Sequence, residues 1–320
     1  MTDLDLIDTQ SGTVRTQVAI LLCTHNGAKF LSAQLDSLER QTCVDWRAFV
    51  SDDASGDGTI EILKRYQTRW GHNKLLIRKG PSRGFVANFL SLACDSEIKA
   101  SYFCFCDQDD VWDDDKLERA LVWHSAQAES RPALYCGRTR LIDEAGCEVG
   151  LSPVFAKPAA FQNALVQSIA GGNTMLFNRA ARDLLMEAGA NVDVVTHDWW
   201  LYILVTGCGG ETYYDAKPAL GYRQHDKNLV GSKESWGARY SRARRLMAGG
   251  MSDMNMRNIT ALCRMEHRLT AGSRRIFSEF VSARQNWLIP RIVGVARSGV
   301  YHHTRLGTAG LVVATLFKKL

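Results

Sequence analysis

Val18-Ala19-Ile20-Leu21-Leu22-Cys23 is an unbroken apolar run that stops at Thr24-His25-Asn26-Gly27. Alternation would mark a strand with one wet face. An uninterrupted run of this length predicts a strand buried on both faces, as in a parallel sheet covered by helices. The pattern then repeats. Apolar residues at helical spacing (Phe30, Leu31, Leu35, Leu38) lead to a second run, Ala48-Phe49-Val50, which ends at Ser51-Asp52-Asp53. The turn cluster Ala54-Ser55-Gly56-Asp57-Gly58 opens a helix through Ile60, Leu63 and Tyr66, and Leu75-Leu76-Ile77 is a third strand. Phe85, Phe89 and Leu92 mark a third helix, and Tyr102-Phe103-Cys104-Phe105-Cys106 a fourth strand that ends in Asp107-Gln108-Asp109-Asp110. A helix over about 114–128 follows. Four such alternations predict an α/β fold with right-handed crossovers and a mostly parallel, doubly wound sheet. Ligands of such sheets bind beyond the carboxyl ends of the strands, where the acid clusters lie.

After residue 132 the pattern loosens. Leu134-Tyr135-Cys136 and residues 171–177 read as further strands, His197-Asp198-Trp199-Trp200 starts a short apolar helix, and residues 219–225 form a late strand running into a polar loop. Charge divides the chain. Up to residue 232 there are 23 bases against 30 acids; from Lys233 onward there are 16 bases against four acids, on segments that all read as helical. The expected organisation is a loose leader over 1–14, an acidic body over 15–232 and a basic helical region over 233–320. Nine cysteines occur without a C-x-x-C pair, and Cys104 and Cys106 share one strand face. That pattern predicts reduced, packed thiols in a cytosolic compartment, not a zinc site or disulfide framework. Met1 to Asp8 is acidic and polar, so no secretory signal is expected, and no stretch reaches the roughly 18 apolar residues of a spanning helix.

A single Asp at a strand end is often a helix cap, and Asp53 and Asp57 admit that reading. Asp107, Asp109 and Asp110 do not. Three carboxylates in four residues raise one another's pKa unless a cation neutralises them. Hard oxygen ligands without a nearby Cys or paired His select Mg²⁺ or Mn²⁺, ions that complete their shell with water and substrate phosphates. The cluster therefore predicts a metal-bound nucleotide diphosphate. Neither a Walker loop nor a G-x-G-x-x-G is present, which argues against a kinase, a GTPase or a dehydrogenase.

These residues carry a resemblance. Val18–Gly27, Asp52-Asp53-Ala54-Ser55-Gly56-Asp57-Gly58-Thr59, Asp107-Gln108-Asp109-Asp110-Val111-Trp112 with Lys116, Gly171-Gly172-Asn173, His197-Asp198-Trp199-Trp200, and Tyr222-Arg223-Gln224-His225 with Asn228 occur in order over about 17–231. In that order the chain resembles a family-2 glycosyltransferase of the GT-A fold, closest to bacterial rhamnosyltransferase-like members. The resemblance implies a catalytic domain over 15–232 that uses a nucleotide-diphosphate sugar, with deoxythymidine-diphosphate rhamnose favoured as donor. It implies that Asp53, with Asp52, holds the base and ribose and that Asp107 touches the ribose or a metal-bound water. Thr24, Asn26, Gly172, Asn173 and Arg223 join the donor site, Asp109 ligates Mg²⁺ or Mn²⁺, and His225 is a further metal or diphosphate ligand. Asp198 matches the catalytic-base position. Two departures stand out: the first strand ends Cys23-Thr24-His25-Asn26 where the family has Pro-Thr-Tyr-Asn, and His197 replaces an acid before the base.

The chemistry agrees with that reading. Transfer from a nucleotide sugar builds charge on the departing diphosphate, which a metal stabilises, and one base with in-line displacement means inversion. Helix capping remains open for Asp198, a surface hydrogen bond for His225, and core packing for Trp199 and Trp200. Two other functions compete. A nucleotidyltransferase should carry a Gly-rich, Arg-containing loop after the first strand, and His25-Asn26-Gly27-Ala28 is not one. A nucleic-acid-binding protein would explain the basic region but leave the acid clusters idle, so nucleic acid is not an expected partner. The expected partners are the donor, a glycan or lipid-linked acceptor, and an anionic membrane surface reached by the basic region. The expected location is the cytoplasm, peripheral on the inner face of the cell membrane.

Overall fold

A computed structural model describes residues 16–225 and 251–320. Its core is a seven-stranded sheet in the order β10-β6-β9-β4-β1-β2-β3. The first run is β1 (Thr16–Thr24), flanked by β2 (Trp46–Asp52) and β4 (Ala100–Cys106), both parallel to it; β3 (Leu75–Lys79) extends the sheet beyond β2. Between them run α1 (Leu31–Glu39), α2 (Thr59–Trp70) and α3 (Phe85–Ala93). The apolar run of β1 divides by alternation. Ala19, Leu21 and Cys23 enter one core with Phe49, Phe103 and Phe105, while Val18, Ile20 and Leu22 enter the other with Leu31, Leu35 and Leu63. Both faces are dry, as an unbroken run requires. From β1 the chain winds outward to β2 and β3, then returns to the opposite side as β4. That reversal opens the crevice at the ends of β1 and β4.

Two expectations are corrected. Residues 171–177 do not form one strand: Gly172–Thr174 close a 3-10 turn, and β9 (Leu176–Asn178) alone enters the sheet, antiparallel to β4 and to β6 (Ala133–Gly137). The helix expected over about 114–128 is α4 (Lys116–His124), because β5 (Val111–Trp112) pairs with β11 (Leu220–Arg223) and the Asp113 N–H bonds to the Ala219 carbonyl. Three further short strands lie where none was expected: β7 (Arg140–Ile142), β8 (Glu148–Leu151) and β10 (Glu211–Asp215). Strands β5, β11, β7 and β8 make a second, four-stranded sheet that flanks the crevice.

The short α5 (Phe161–Ala164) precedes the 3-10 turn, α6 (Arg179–Ala188) follows β9, and α7 (His197–Gly207) is buried almost all round. Trp199 and Trp200 are core residues of α7. The described part of the basic region is helical: α8 (Met251–Arg264), α9 (Ala271–Gln285), α10 (Leu288–Ser298) and α11 (Arg305–Leu316). Ile259, Leu262, Phe277 and Phe280 join the same apolar cluster as Phe103 and Phe105. The leader, the boundary near 232 and the arginine run 239–245 lie outside the described residues.

Candidate active site

At the end of β1, Thr24 donates through Oγ1 to Asp52 Oδ2 (2.7 Å), which also accepts from the Ser55 hydroxyl (2.6 Å), while Oδ1 accepts from the Ser55 N–H (2.9 Å). Asp53 accepts from the N–H groups of Ser82 (2.5 Å) and Gly84 (2.9 Å), one on each oxygen, and so fixes the loop between β3 and α3. Asn26 takes a left-handed conformation, and its Oδ1 receives the Gly56 N–H at 2.8 Å. Asp57 accepts the Thr59 N–H at the start of α2 and the Ala28 N–H, joining the two loops as a cap would. Asp52 and Asp53 are buried and supplied with protein donors, whereas Asp57 is exposed; a carboxylate has about four acceptor positions, so neither Asp52 nor Asp53 is saturated.

The loop after β4 is wired differently. Gln108 clasps the main chain of His25, accepting its N–H at 2.8 Å and donating to its carbonyl at 3.0 Å, which joins the β1 and β4 ends. Gly27 leaves room for this clasp, since a Cβ there would stand 2.2 Å from Gln108 Oε1 and push that side chain aside. Asp110 is wholly buried; its Oδ2 accepts from Asn173 Nδ2 at 2.6 Å and its Oδ1 from the Arg223 N–H at 3.4 Å. Burial and the adjacent Asp109 carboxylate push its pKa up to about 8 against those bonds. Asp107 is raised well above the carboxylate range, first by desolvation and then by Asp110, Asp109 and Asp198. Four carboxylates therefore share one field.

Asp109 Oδ2 lies 2.8 Å from His225 Nε2, and the His225 ring stacks on Phe30 at 5.1 Å. Arg223 is buried; Nε donates to the Asp109 carbonyl (3.0 Å), Nη1 to the carbonyls of Asp143 (3.0 Å) and Glu144 (2.8 Å), and its plane covers Phe30 at 4.7 Å. Asp198 is the second residue of α7. Its Oδ2 accepts the Gly172 N–H at 2.9 Å and its Oδ1 the Trp199 N–H at 2.7 Å. His197 stacks on Phe89 at 4.0 Å and meets the edge of Phe105 at 4.5 Å, with neither ring nitrogen hydrogen-bonded. Desolvation lowers its pKa to about 4, so it stays neutral beside Asp198.

The structure thus gathers Asp107, Asp109, Asp198, Gly172, Asn173, Arg223 and His225 around one crevice, with Thr24, Asn26, Asp52 and Asp53 on its β1–β2 side. Gln108, Asp110 and Phe30 hold these pieces together; sequence reasoning counted Asp110 in the metal-binding cluster and gave Gln108 and Phe30 no role in the site. A mutually repelling carboxylate group with an imidazole at Asp109 fits a hard divalent cation by donor chemistry. Among the described residues no three His, Cys, Asp or Glu side chains already converge as a ligand shell. An ion of the magnesium type takes one or two carboxylates and completes its shell with water and phosphate.

Known proteins resemble this chain in sequence and in fold. The profile of glycosyl transferase family 2 matches residues 19–146. The dTDP-rhamnosyl transferase RfbG of Shigella flexneri is 30% identical over 234 residues, which is 69% of this chain and 77% of that protein. The TuaG protein of Bacillus subtilis, a putative teichuronic acid biosynthesis glycosyltransferase, is 28% identical over 32% of this chain and 40% of its own. Among solved structures, S. aureus TarS 1–349 with UDP-GlcNAc superposes with a TM-score of 0.52 at 13% identity, covering 89% of this chain and 93% of that one. The mannosyltransferase PcManGT of Pyrobaculum calidifontis, with GDP-Man and Mn²⁺, has a TM-score of 0.50 at 15% identity over 96% and 89%. At these identities the structural likeness shows the fold, which is GT-A.

Proposed function

The chain belongs to glycosyl transferase family 2 and is a nucleotide-sugar glycosyltransferase, and on that premise we propose an inverting, divalent-metal-dependent transfer in cell-surface polysaccharide synthesis. The proposed donor is rhamnose on deoxythymidine diphosphate, and the acceptor a glycan or lipid-linked glycan. One observation carries the reading: Asp107, Asp109, Asp110 and Asp198 come together at the strand-end crevice, where desolvation first and the other three carboxylates second raise Asp107 well above its ordinary range.

Each residue then has a part. Asn26 and Asp53 receive the base and ribose on a floor shaped by Thr24 and Asp52, and Asp107 faces the ribose side. Asp109 and His225 would hold Mg²⁺ or Mn²⁺, a Lewis acid for the departing diphosphate when bound. Arg223 acts from below, fixing the Asp109 main chain. Gly172 and Asn173 lie under the sugar, where a missing side chain permits close approach. Asp198 takes the proton of the attacking hydroxyl on the lone pairs that the Gly172 and Trp199 N–H groups leave open. Such help is worth about 10²–10⁴-fold. One base on one face, with direct displacement, inverts the sugar carbon.

We place residues 15–232 as the catalytic domain, and residues 233–320 as a basic region that meets an anionic surface at the inner face of the cell membrane. Charge supports this placement, and among the described residues no helix is long and apolar enough to cross a membrane. The test is a panel of nucleotide sugars scored by hydrolysis and thermal shift, with Mn²⁺, with Mg²⁺ and with a chelator. A donor at about 100 times its Kd should stabilise the fold by about 2.7 kcal/mol. If no nucleotide sugar shifts the melting point or is hydrolysed with either metal, the reading fails.

A further inference from the structure

The basic residues of the C-terminal region that sequence would aim at a membrane do not all reach the surface. Arg291 is buried and donates to the carbonyls of Asn286, Thr315 and Leu316, and Arg284 donates to that of Leu320. Phe280 lies in the core. What the last two helices present outward is apolar. On α10, Leu288, Ile289, Ile292 and Val293 are exposed at a spacing that puts them on one face, opposite the inward Arg291, Val295 and Ser298. On α11 the outward face is Leu306, Val312, Val313, Leu316 and Phe317, opposite the inward Leu311, Ala314 and Thr315. Leu306 is 85% exposed, Phe317 68% and Trp287, at the head of α10, 66%. Of 18 strongly exposed large apolar residues among those described, ten fall within 287–317. Scattered exposed apolar residues are normal; two ordered stripes on adjoining helices are not.

Charge says what covers them. Exposed Arg297 follows the α10 stripe, and exposed Arg305 and Lys318 bracket the α11 stripe. Residues 286–320 contain no Asp or Glu. Two copies meeting by this surface would bring these cations together with no carboxylate between them. An anionic leaflet neutralises them while taking up the aliphatic faces, and it asks for no matching shape. We infer that α10 and α11 insert their apolar stripes into the interfacial layer of an anionic bilayer, so that the enzyme is held by burial first and by charge second. The inference deepens the membrane placement proposed above and rests on that reading.

The connection to the site is direct. The segment between these helices is fastened to the catalytic domain: Asn163 Nδ2 donates to the Tyr301 carbonyl (3.0 Å), the His303 N–H to Gln167 Oε1 (2.9 Å), and His303 stacks on Phe155 at 4.6 Å. Residues 155–167 lead straight to the turn that holds Asp198. Docked helices therefore fix the height and tilt of the crevice above the bilayer.

The experiment is flotation of the full-length protein with vesicles of phosphatidylcholine alone and of phosphatidylcholine with equimolar phosphatidylglycerol, at low and high salt. The wild type should float with the mixed vesicles and stay bound at high salt, where a purely electrostatic contact is screened. Ile289→Ser, Leu306→Ser and Phe317→Ser combined should weaken partitioning by about a hundredfold or more, since burial of one such side chain is worth about tenfold. Its melting point and its donor hydrolysis in solution should stay at the wild-type value. Val44→Ser with Val122→Ser, exposed apolar positions elsewhere, should float like the wild type. Wild-type flotation by the triple variant, or a wild type that floats with neither vesicle, overturns the inference. So does a wild-type dimer that the triple variant converts to monomer without any flotation. Donor hydrolysis without flotation sinks this inference alone; flotation without hydrolysis of any donor sinks the glycosyl-transfer reading instead.

Discussion

Gly172→Ala puts the sharpest strain on the proposed base. Gly172 does not use the left-handed region, so Ala fits the backbone, and through the unfolded chain alone the change would stabilise by about 0.4–1 kcal/mol. Space decides otherwise. The new Cβ would stand 2.6 Å from His197 Nε2 and 3.3 Å from Asp198 Cβ. His197 has little freedom to yield, being stacked on Phe89 and set against the edge of Phe105. Overpacking of this kind costs about 1–3 kcal/mol, so the net loss should be about 1–2 kcal/mol. That corresponds to a fall of about 2–6 °C in Tm. Turnover should suffer more than stability. The turn that receives the methyl group also supplies the N–H bonded to Asp198 Oδ2, and a 1 Å misplacement of a catalytic group can cost about 10²-fold. The assay is kcat for transfer and for donor hydrolysis, beside a thermal melt and donor Kd. Donor affinity should weaken far less than kcat drops, since the added Cβ is directed at His197 and Asp198. Adding His197→Ala should recover part of the lost stability, because it removes the atom in the way. A Gly172→Ala enzyme with wild-type kcat and Tm would refute the reasoning on both counts.

Asp109→Asn should lose metal-dependent donor binding and keep its fold; donor binding in Mn²⁺ at the wild-type level would remove Asp109 from the metal site. Asp198→Asn should bind donor normally and turn over about 10²-fold or more slowly, and undiminished kcat would reduce Asp198 to a helix-terminal carboxylate. Asn173→Ala leaves a buried acceptor of Asp110 without its donor, and should cost about 1–3 kcal/mol in denaturant unfolding; an unchanged midpoint would count against that bond. His124 and His197 are each held near 4 by burial, against 6.5 in the unfolded chain. Acid therefore protonates the unfolded chain first: their contribution is fully present above about pH 6.5 and is lost toward about pH 4, at up to about 1.4 kcal/mol per pH unit each, and melts that stay flat over that window would contradict it.

The parts of the fold that were legible in the sequence are those whose burial is total. Strands β1, β2 and β4 announce themselves because both faces are dry and their central residues are apolar. Helices α1 to α3 follow from spacing for the complementary reason, one face in and one face out. Strands β7, β8 and β10 carry no such signal: they are short, with partly exposed residues, and β8 and β10 run at sheet edges, so neither alternation nor an apolar run develops. The site was legible in its acids, because strand ends are where the chain must stop burying apolar side chains. Its wiring was not. Asn173 meets Asp110 across 63 residues of sequence and Gln108 meets His25 across 83, and such pairings leave no local trace. His197 illustrates the limit. From sequence it heads a helix beside a carboxylate, whereas in the fold it is a neutral ring packed among Phe85, Phe89 and Phe105.

The two acid clusters, alike on paper, part company in the fold. Asp52 and Asp53 together accept five protein hydrogen bonds, from Thr24, Ser55 twice, Ser82 and Gly84. Those donors lock three loops, so these acids shape the crevice whether or not anything is bound. Asp107, half-buried, and Asp110, buried, stand one strand-end away, and desolvation first and neighbouring carboxylates second raise their pKa values. An ion pair built to stabilise the fold would place Lys or Arg among them. Arg223 is buried beside them, yet its guanidinium donates to the main-chain carbonyls of Asp109, Asp143 and Glu144. Buried Lys116 lies over the Trp112 ring at 3.5 Å, and its attraction to Asp110 ranks below desolvation, the repulsion from Asp109 and both hydrogen bonds. A folded chain carries such a repelling group at a cost, and on the proposed reading a divalent cation arriving with its diphosphate would turn that cost into binding. On that reading the acids at the end of β4 serve the metal and diphosphate, and those at the end of β2 build the walls that receive the base and ribose.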